Sequence, residues 1–284
     1  MTARARRDLS RRISAAMYAL CIACAAIILI VLALITGYLL FIGARHLSIS
    51  FFIREPIAQG NPGFPGGMAN GLQGTTVLIL LASALGIPIG LLAGIYLAEY
   101  DAQSMTVGIV RFLADVLAGV PSIVVGILCY ELLVAPVHRN NAWAGAAALA
   151  FIMIPIIART TEEMLRLVPN SYREASYGLG GTKAHTIWRV VVPAAKASII
   201  TGIMLSIARI AGETAPLLFT SLGNDSITWN LNDRFPSLTK QIYDYSTQRA
   251  TPEEQGLAWA GILVLISLIF VVNLGVRYFT SRRK

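Results

Sequence analysis

Charge is what this sequence has least of. Aspartate, glutamate, lysine and arginine make up 13% of its 284 residues, about half the share of roughly 25% usual in soluble chains. Histidine and cysteine are sparse too, with three of each. Cys21 and Cys24 share one apolar run with no histidine beside them, and Cys129 is alone in another. That pattern points to packed or lipid-facing thiols and implies neither a disulfide framework nor a metal site. His46, His138 and His185 fall on different loops, so no Ser/His/Asp or paired-His arrangement forms. The phosphate-cradling run G-x-x-x-x-G-K-[ST] is also missing, because Gly180-Gly181-Thr182-Lys183 lacks the required order. The chain is therefore expected to be non-catalytic, with no metal and no cofactor of its own.

Long apolar runs are what it has instead. Hydrophobic residues reach 56% and the mean hydropathy is +0.66, which describes an all-α integral membrane protein of several spans, each about 20 residues. The net charge of +8 comes from cations at the ends of apolar segments. In a membrane protein that is an orientation signal, and nucleic acid is not an expected partner.

The chain divides as follows. Residues 1–12 form a basic cytoplasmic tail, and 13–42 a first transmembrane helix that is retained, since a secretory core is only about 7–15 residues. Residues 43–72, rich in proline and glycine, are an external loop. A transmembrane domain occupies 73–279, with spans at 75–97, within 106–135, and at 143–157, 197–222 and 257–278. Within the third stretch, Arg111 and Asp115 are one helical turn apart. Residues 280–284 are a basic cytoplasmic end. Six helices with both termini inside place 16 of the 23 cations on the cytoplasmic side and six outside, as the positive-inside rule requires. Membrane lipid is then the chain's surrounding solvent.

Inside the spans, small and polar residues stand out. Gly86, Gly90 and Gly94 recur every four residues, with Pro88 between them, a pattern that lets two helices approach closely. Pro121 interrupts the third span. In the fifth, Arg209 is expected near mid-membrane, where an arginine costs about 2.5–3.5 kcal/mol to insert. Ser206 and Glu213 lie one turn to either side, Pro216 removes a backbone donor, and Thr214 is placed to reach a freed backbone group. Arg209 and Glu213 either neutralise each other as a structural staple or line an anion pathway, for which guanidinium geometry and permanent charge are suited.

The longest polar run between apolar segments is 172–193, which reads as a short helix around Glu174 and Ala175, a turn at Gly178, Gly180 and Gly181, and a second amphipathic piece running into Pro193. Its spacing resembles the EAA loop of ABC-importer permeases: Glu174-Ala175, Gly180 six residues after the glutamate, and Pro193 thirteen further on. Ser176 and Val192 depart from that pattern, in place of alanine and leucine. The run Arg209-Ile210-Ala211-Gly212-Glu213-Thr214-Ala215-Pro216-Leu217-Leu218-Phe219-Thr220 resembles the fifth-helix signature of PstA-type permeases of phosphate ABC importers. Gly94-Ile95-Tyr96-Leu97-Ala98-Glu99-Tyr100 and Gly119-Val120-Pro121-Ser122-Ile123-Val124-Val125-Gly126 resemble further stretches of that family.

The resemblance implies a type I ABC importer permease fold and a subunit of an ATP-driven phosphate importer in the cell (inner) membrane. It implies a homologous second permease, PstC-like, two copies of an ATP-binding subunit that uses the ATP, and an extracytoplasmic phosphate-binding protein. By the same resemblance Arg173, Glu174, Ala175, Gly180, Gly181 and Pro193 couple to the ATPase, and Arg209, Glu213, Ser206 and Thr214 line the substrate pathway. Gly86, Pro88, Gly90, Gly94, Pro121 and Pro216 pack or kink helices. Sulfate or molybdate as substrate, an ATPase-independent secondary transporter, and a membrane scaffold or sensor remain the alternatives.

Overall fold

The computed structural model describes residues 3–56, 66–100, 104–248 and 251–281. Part of the expected external loop (57–65) and residues 282–284 of the basic end lie outside the described residues. The helices in chain order are α1 (Ala3–His46), α2 (Ile49–Ile53), α3 (Ala69–Glu99), α4 (Met105–Gly119), α5 (Ser122–Cys129), α6 (Ala142–Arg166), α7 (Asn170–Gly178), α8 (Lys183–Thr186), α9 (Val192–Ala211), α10 (Ala215–Thr220), α11 (Leu238–Thr247) and α12 (Pro252–Ser281). Among the described residues five helices are long and apolar enough to cross a membrane, and the bent pair α4 plus Ser122–Val137 makes a sixth. The chain is a multi-pass membrane protein.

The glycine stripe organises the centre. A Cβ at Gly86 would come within 2.9 Å of Met153, at Gly90 within 2.8 Å of Ile157, and at Gly94 within 2.5 Å of Thr161. The three contacts advance together along both chains, so α3 and α6 run parallel with their backbones in close approach. Most of α6 is buried, and Leu78, Leu149, Met153, Ile157 and Ile210 form the main core around it. Helix α9 packs on the same helix in the opposite direction, with Gly202 against Thr160. Helix α1 stays peripheral. It touches α12 near its outer end, where Tyr38 meets Trp259 edge to face at 5.4 Å and Gly43 packs on Leu263.

Proline sets the irregularities. The third span bends by 105° at Val120-Pro121, where Val120 is extended because the following proline disfavours helical backbone. Pro88, by contrast, sits inside an unbroken α3. Two π turns, Tyr130–Val134 and Ile187–Val191, come just before Pro136 and Pro193. Each relaxes the ladder where a proline N–H is absent.

The fifth span departs from the expected continuous run of 197–222. It ends as α9 at Ala211, breaks over Gly212, Glu213 and Thr214, and restarts as α10 with Pro216 in its first turn. Arg209 is therefore at the end of a helix and not in the middle of one. Counted from Lys196 it lies roughly 20 Å along the axis, in the last turn of α9. The large outer loop is also more ordered than its polar composition suggests, because α11 fills its second half.

Candidate functional site

Two regions carry the polar residues singled out above. The first is the polar knob between α6 and α9, expected on the cytoplasmic side. Helix α7 leads into Gly180, whose φ of +82° is left-handed and suits glycine. Gly181 follows against α7, where a Cβ would fall 2.7 Å from the Ser176 hydroxyl. Ser176 is buried and its hydroxyl lies 2.8 Å from that of Thr186 in α8. The serine that departs from the EAA pattern thus pairs the two short helices. Glu174 and Ala175 face outwards, and Leu179 at the tip is 91% exposed. Tyr172, Ala175, Leu179, His185 and Val190 line a shallow groove of about 320 Å³. An apolar tip beside a groove is a docking shape.

Arg173 does different work from its neighbours. Its Nη2 and Nε donate to both oxygens of Glu99, at 2.5 and 3.2 Å, and it also donates to the carbonyls of Leu165 and Val168 at 3.0 and 2.8 Å. The Glu99 side chain is only 5% exposed. One guanidinium therefore ties the knob to the C-terminal ends of α3 and α6. Pro193 lies on the surface at the start of α9, apart from the knob's tip.

The second region is the helix break. Arg209 lies 3.9 Å from Glu213, and its side chain is 58% exposed against 16% for the glutamate. So loose and exposed a pair contributes about 0–1 kcal/mol. It is a poor staple. Ser206 does not join them; it is fully buried and donates to the Ile203 carbonyl at 2.7 Å. Thr214 makes no side-chain cap, although its carbonyl accepts from Leu217 and Leu218. The residue that reaches the freed backbone is Thr239 of α11, donating to the Glu213 carbonyl at 3.0 Å. Pro216 packs its Cα against Gly126 of α5, so the break is also held from the third span.

Sequence spacing missed a third group. Glu162 of α6, with a side chain 4% exposed, is surrounded by Arg111 at 2.9 Å, Arg159 at 3.1 Å and Arg166 at 2.8 Å, and Arg159 also binds Asp115 at 2.6 Å. Arg111 and Asp115 lie on α4, so the group joins α4 to α6. The i, i+3 and i, i+4 spacing of Arg159, Glu162 and Arg166 was visible, but no local spacing links 111 to 162. Outside the membrane, Arg139, Asp233, Arg234, Lys240 and Asp244 border an open depression of about 850 Å³. Among the described residues no group of three or more His, Cys, Asp or Glu is placed to hold a metal.

A parallel α3/α6 pair, a broken fifth span and a compact helix–glycine–helix knob are the features to be matched against known proteins. The family described as "binding-protein-dependent transport system inner membrane component" matches residues 86–284. The chain belongs to this family. Within it, the PstA-type permeases are similar over most of their length. The phosphate transport system permease protein PstA of Haemophilus influenzae is 42% identical over 242 residues, covering 85% of this chain and 84% of that protein. The same-named protein of Yersinia pestis is 42% identical, covering 85% and 81%. PstA 1 of Mycobacterium tuberculosis (strain CDC 1551) is 41% identical over 228 residues, covering 78% and 74%. The fold matches the bacterial alginate ABC transporter (TM-score 0.67, 13% identity, 97% of this chain and 96% of that one). It also matches the inward-facing MetNI methionine transporter (TM-score 0.60, 16% identity, 76% and 93%). The fold is that of a type I ABC importer permease.

Proposed function

We propose that this chain is the transmembrane permease subunit of an ATP-driven importer of inorganic phosphate, forming half of the translocation pathway. The observation that carries the reading is Arg209: a permanent cation, loosely held by Glu213, on an exposed face of α9 in a chain whose PstA relatives are named for phosphate transport. Lipid would not tolerate that guanidinium. A partner or a water-filled passage must cover it.

The partner is a second, PstC-like permease. Its place is supported by the unpaired apolar faces of α4 and α5, where Phe112, Leu113, Val116, Val124 and Leu128 are all exposed. Between the two permeases, phosphate released by an extracytoplasmic binding protein meets Arg209, and Glu213 takes the guanidinium back when the anion leaves. The chain itself is non-catalytic and binds no cofactor. Two ATP-binding subunits hydrolyse ATP, and one of them receives the Leu179 tip in a groove. Arg173 passes the resulting movement to α3 and α6, and both termini lie in the cytoplasm.

Uptake of labelled phosphate, sulfate and molybdate by cells with and without this chain tests the substrate. Loss of phosphate uptake alone is the expected result, and loss of sulfate or molybdate uptake with phosphate untouched would overturn it.

A further inference from the structure

Around Glu162 the positive charge exceeds the negative. Arg111, Arg159 and Arg166 face two carboxylates, Glu162 and Asp115. Both Glu162 oxygens are occupied, Oε1 by Arg111 and Arg166 and Oε2 by Arg159. The guanidiniums still hold spare N–H groups, since Arg159 uses Nη1 on Glu162 and Nη2 on Asp115, while Arg111 uses Nε and Nη2. Arg111, Arg159 and Asp115 are part-exposed, at 27%, 36% and 47%. Thr160 packs on Gly202, seven residues before Arg209, so this cluster lies roughly 10 Å deeper than Arg209 along α9. Each guanidinium has a carboxylate partner, but three of them share two carboxylates, and the residual positive charge with its spare N–H groups suits an oxyanion.

We propose that Arg111 and Arg159 form a second oxyanion site, for a tetrahedral phosphate group, in which Asp115 is the displaceable counter-ion. Glu162 is the fixed floor, buried and saturated, and it holds the two guanidiniums side by side. Asp115 on α4 is the mobile competitor: an arriving phosphate takes over Nη2 of Arg159, and Asp115 recovers it on release. The phosphate can be inorganic phosphate leaving the passage or the headgroup of an anionic lipid. Its role as an inner station for transported phosphate rests on the importer reading, whereas the site itself does not.

The test uses the assembled importer in nanodiscs, in an Arg209→Gln background that silences the outer arginine. Inorganic phosphate is titrated and followed by ³¹P line broadening in phosphatidylcholine discs. The same variants in discs doped with phosphatidylglycerol are scored for retained lipid by mass spectrometry. Asp115→Asn, at a part-exposed position, tightens phosphate binding about fivefold, the worth of the competing ion pair, and Arg159→Gln abolishes it. Tighter retention of phosphatidylglycerol without a change for inorganic phosphate assigns the same site to lipid. No change with either variant in either disc overturns the proposal. Transport is measured separately with Arg209 in place, so a failure of phosphate uptake there, with the Asp115→Asn effect on binding intact, sinks the importer reading and leaves the site standing.

Discussion

Arg173 on α7 and Glu99 at the end of α3 are joined by two parallel N–H···O contacts, at 2.5 and 3.2 Å, although 74 residues separate them in the chain. The carboxylate has almost no contact with water. Removing one member of such a pair strands the other, which costs about 3–5 kcal/mol. The knob is thus fixed to the glycine-packed α3/α6 pair by a bond that either partner's loss would break.

Arg173→Ala is expected to leave the ATP-binding subunit bound more weakly and to lower phosphate-stimulated ATP hydrolysis at least tenfold. Co-purification and hydrolysis assays in reconstituted vesicles check this. The exchange Arg173→Glu with Glu99→Arg should recover part of the loss, and no recovery would mean that the guanidinium's carbonyl bonds matter more than its charge.

The turn at Gly180 gives a sharper separation of hydrolysis from transport. A side chain at φ +82° costs about 1–2 kcal/mol, so Gly180→Val should distort the tip while the membrane helices stay folded. Uncoupled hydrolysis without matching phosphate uptake is the expected outcome. Retained coupling would show that the tip's shape is unimportant.

Gly90→Val drives a branched side chain into Ile157, which would already meet a plain Cβ at 2.8 Å. Overpacking of this kind costs about 1–3 kcal/mol. The melting temperature of the detergent-solubilised chain should fall by several degrees. Gly37→Ala in α1, with nothing within 4 Å, should leave it unchanged.

These positions also show what a sequence reveals. The glycine stripe was legible because close helix approach needs small residues at one fixed spacing, and the knob because its glycines punctuate a polar run. The polar, proline-kinked face around Arg209 and Pro216 was legible, but the break at 212–214 was not, since 197–222 reads as one apolar span, and nor was its partner: Thr239, not Thr214, satisfies the Glu213 carbonyl, and no spacing rule connects residues 26 apart. Helix α11 was hidden because Leu238, Ile242 and Tyr245 anchor it from within a polar loop. Ser206 was misjudged by counting turns from Arg209, since a three-residue step also turned it into the core.

Thr239→Val should therefore affect the break from a distance. Leaving the Glu213 carbonyl without its donor costs about 1–3 kcal/mol, and phosphate uptake is expected to drop several-fold with the complex still assembled. Thr239→Ser keeps the hydroxyl and should restore uptake. Equal loss in both variants would mean that the methyl group, not the hydrogen bond, is what counts.

The most direct test of the whole account is phosphate uptake by an assembled importer carrying Arg209→Ala. Uptake should fall to the level of cells lacking the chain, while the other subunits still co-purify with it. Uptake at the unsubstituted rate would contradict the assignment of this guanidinium to the phosphate pathway.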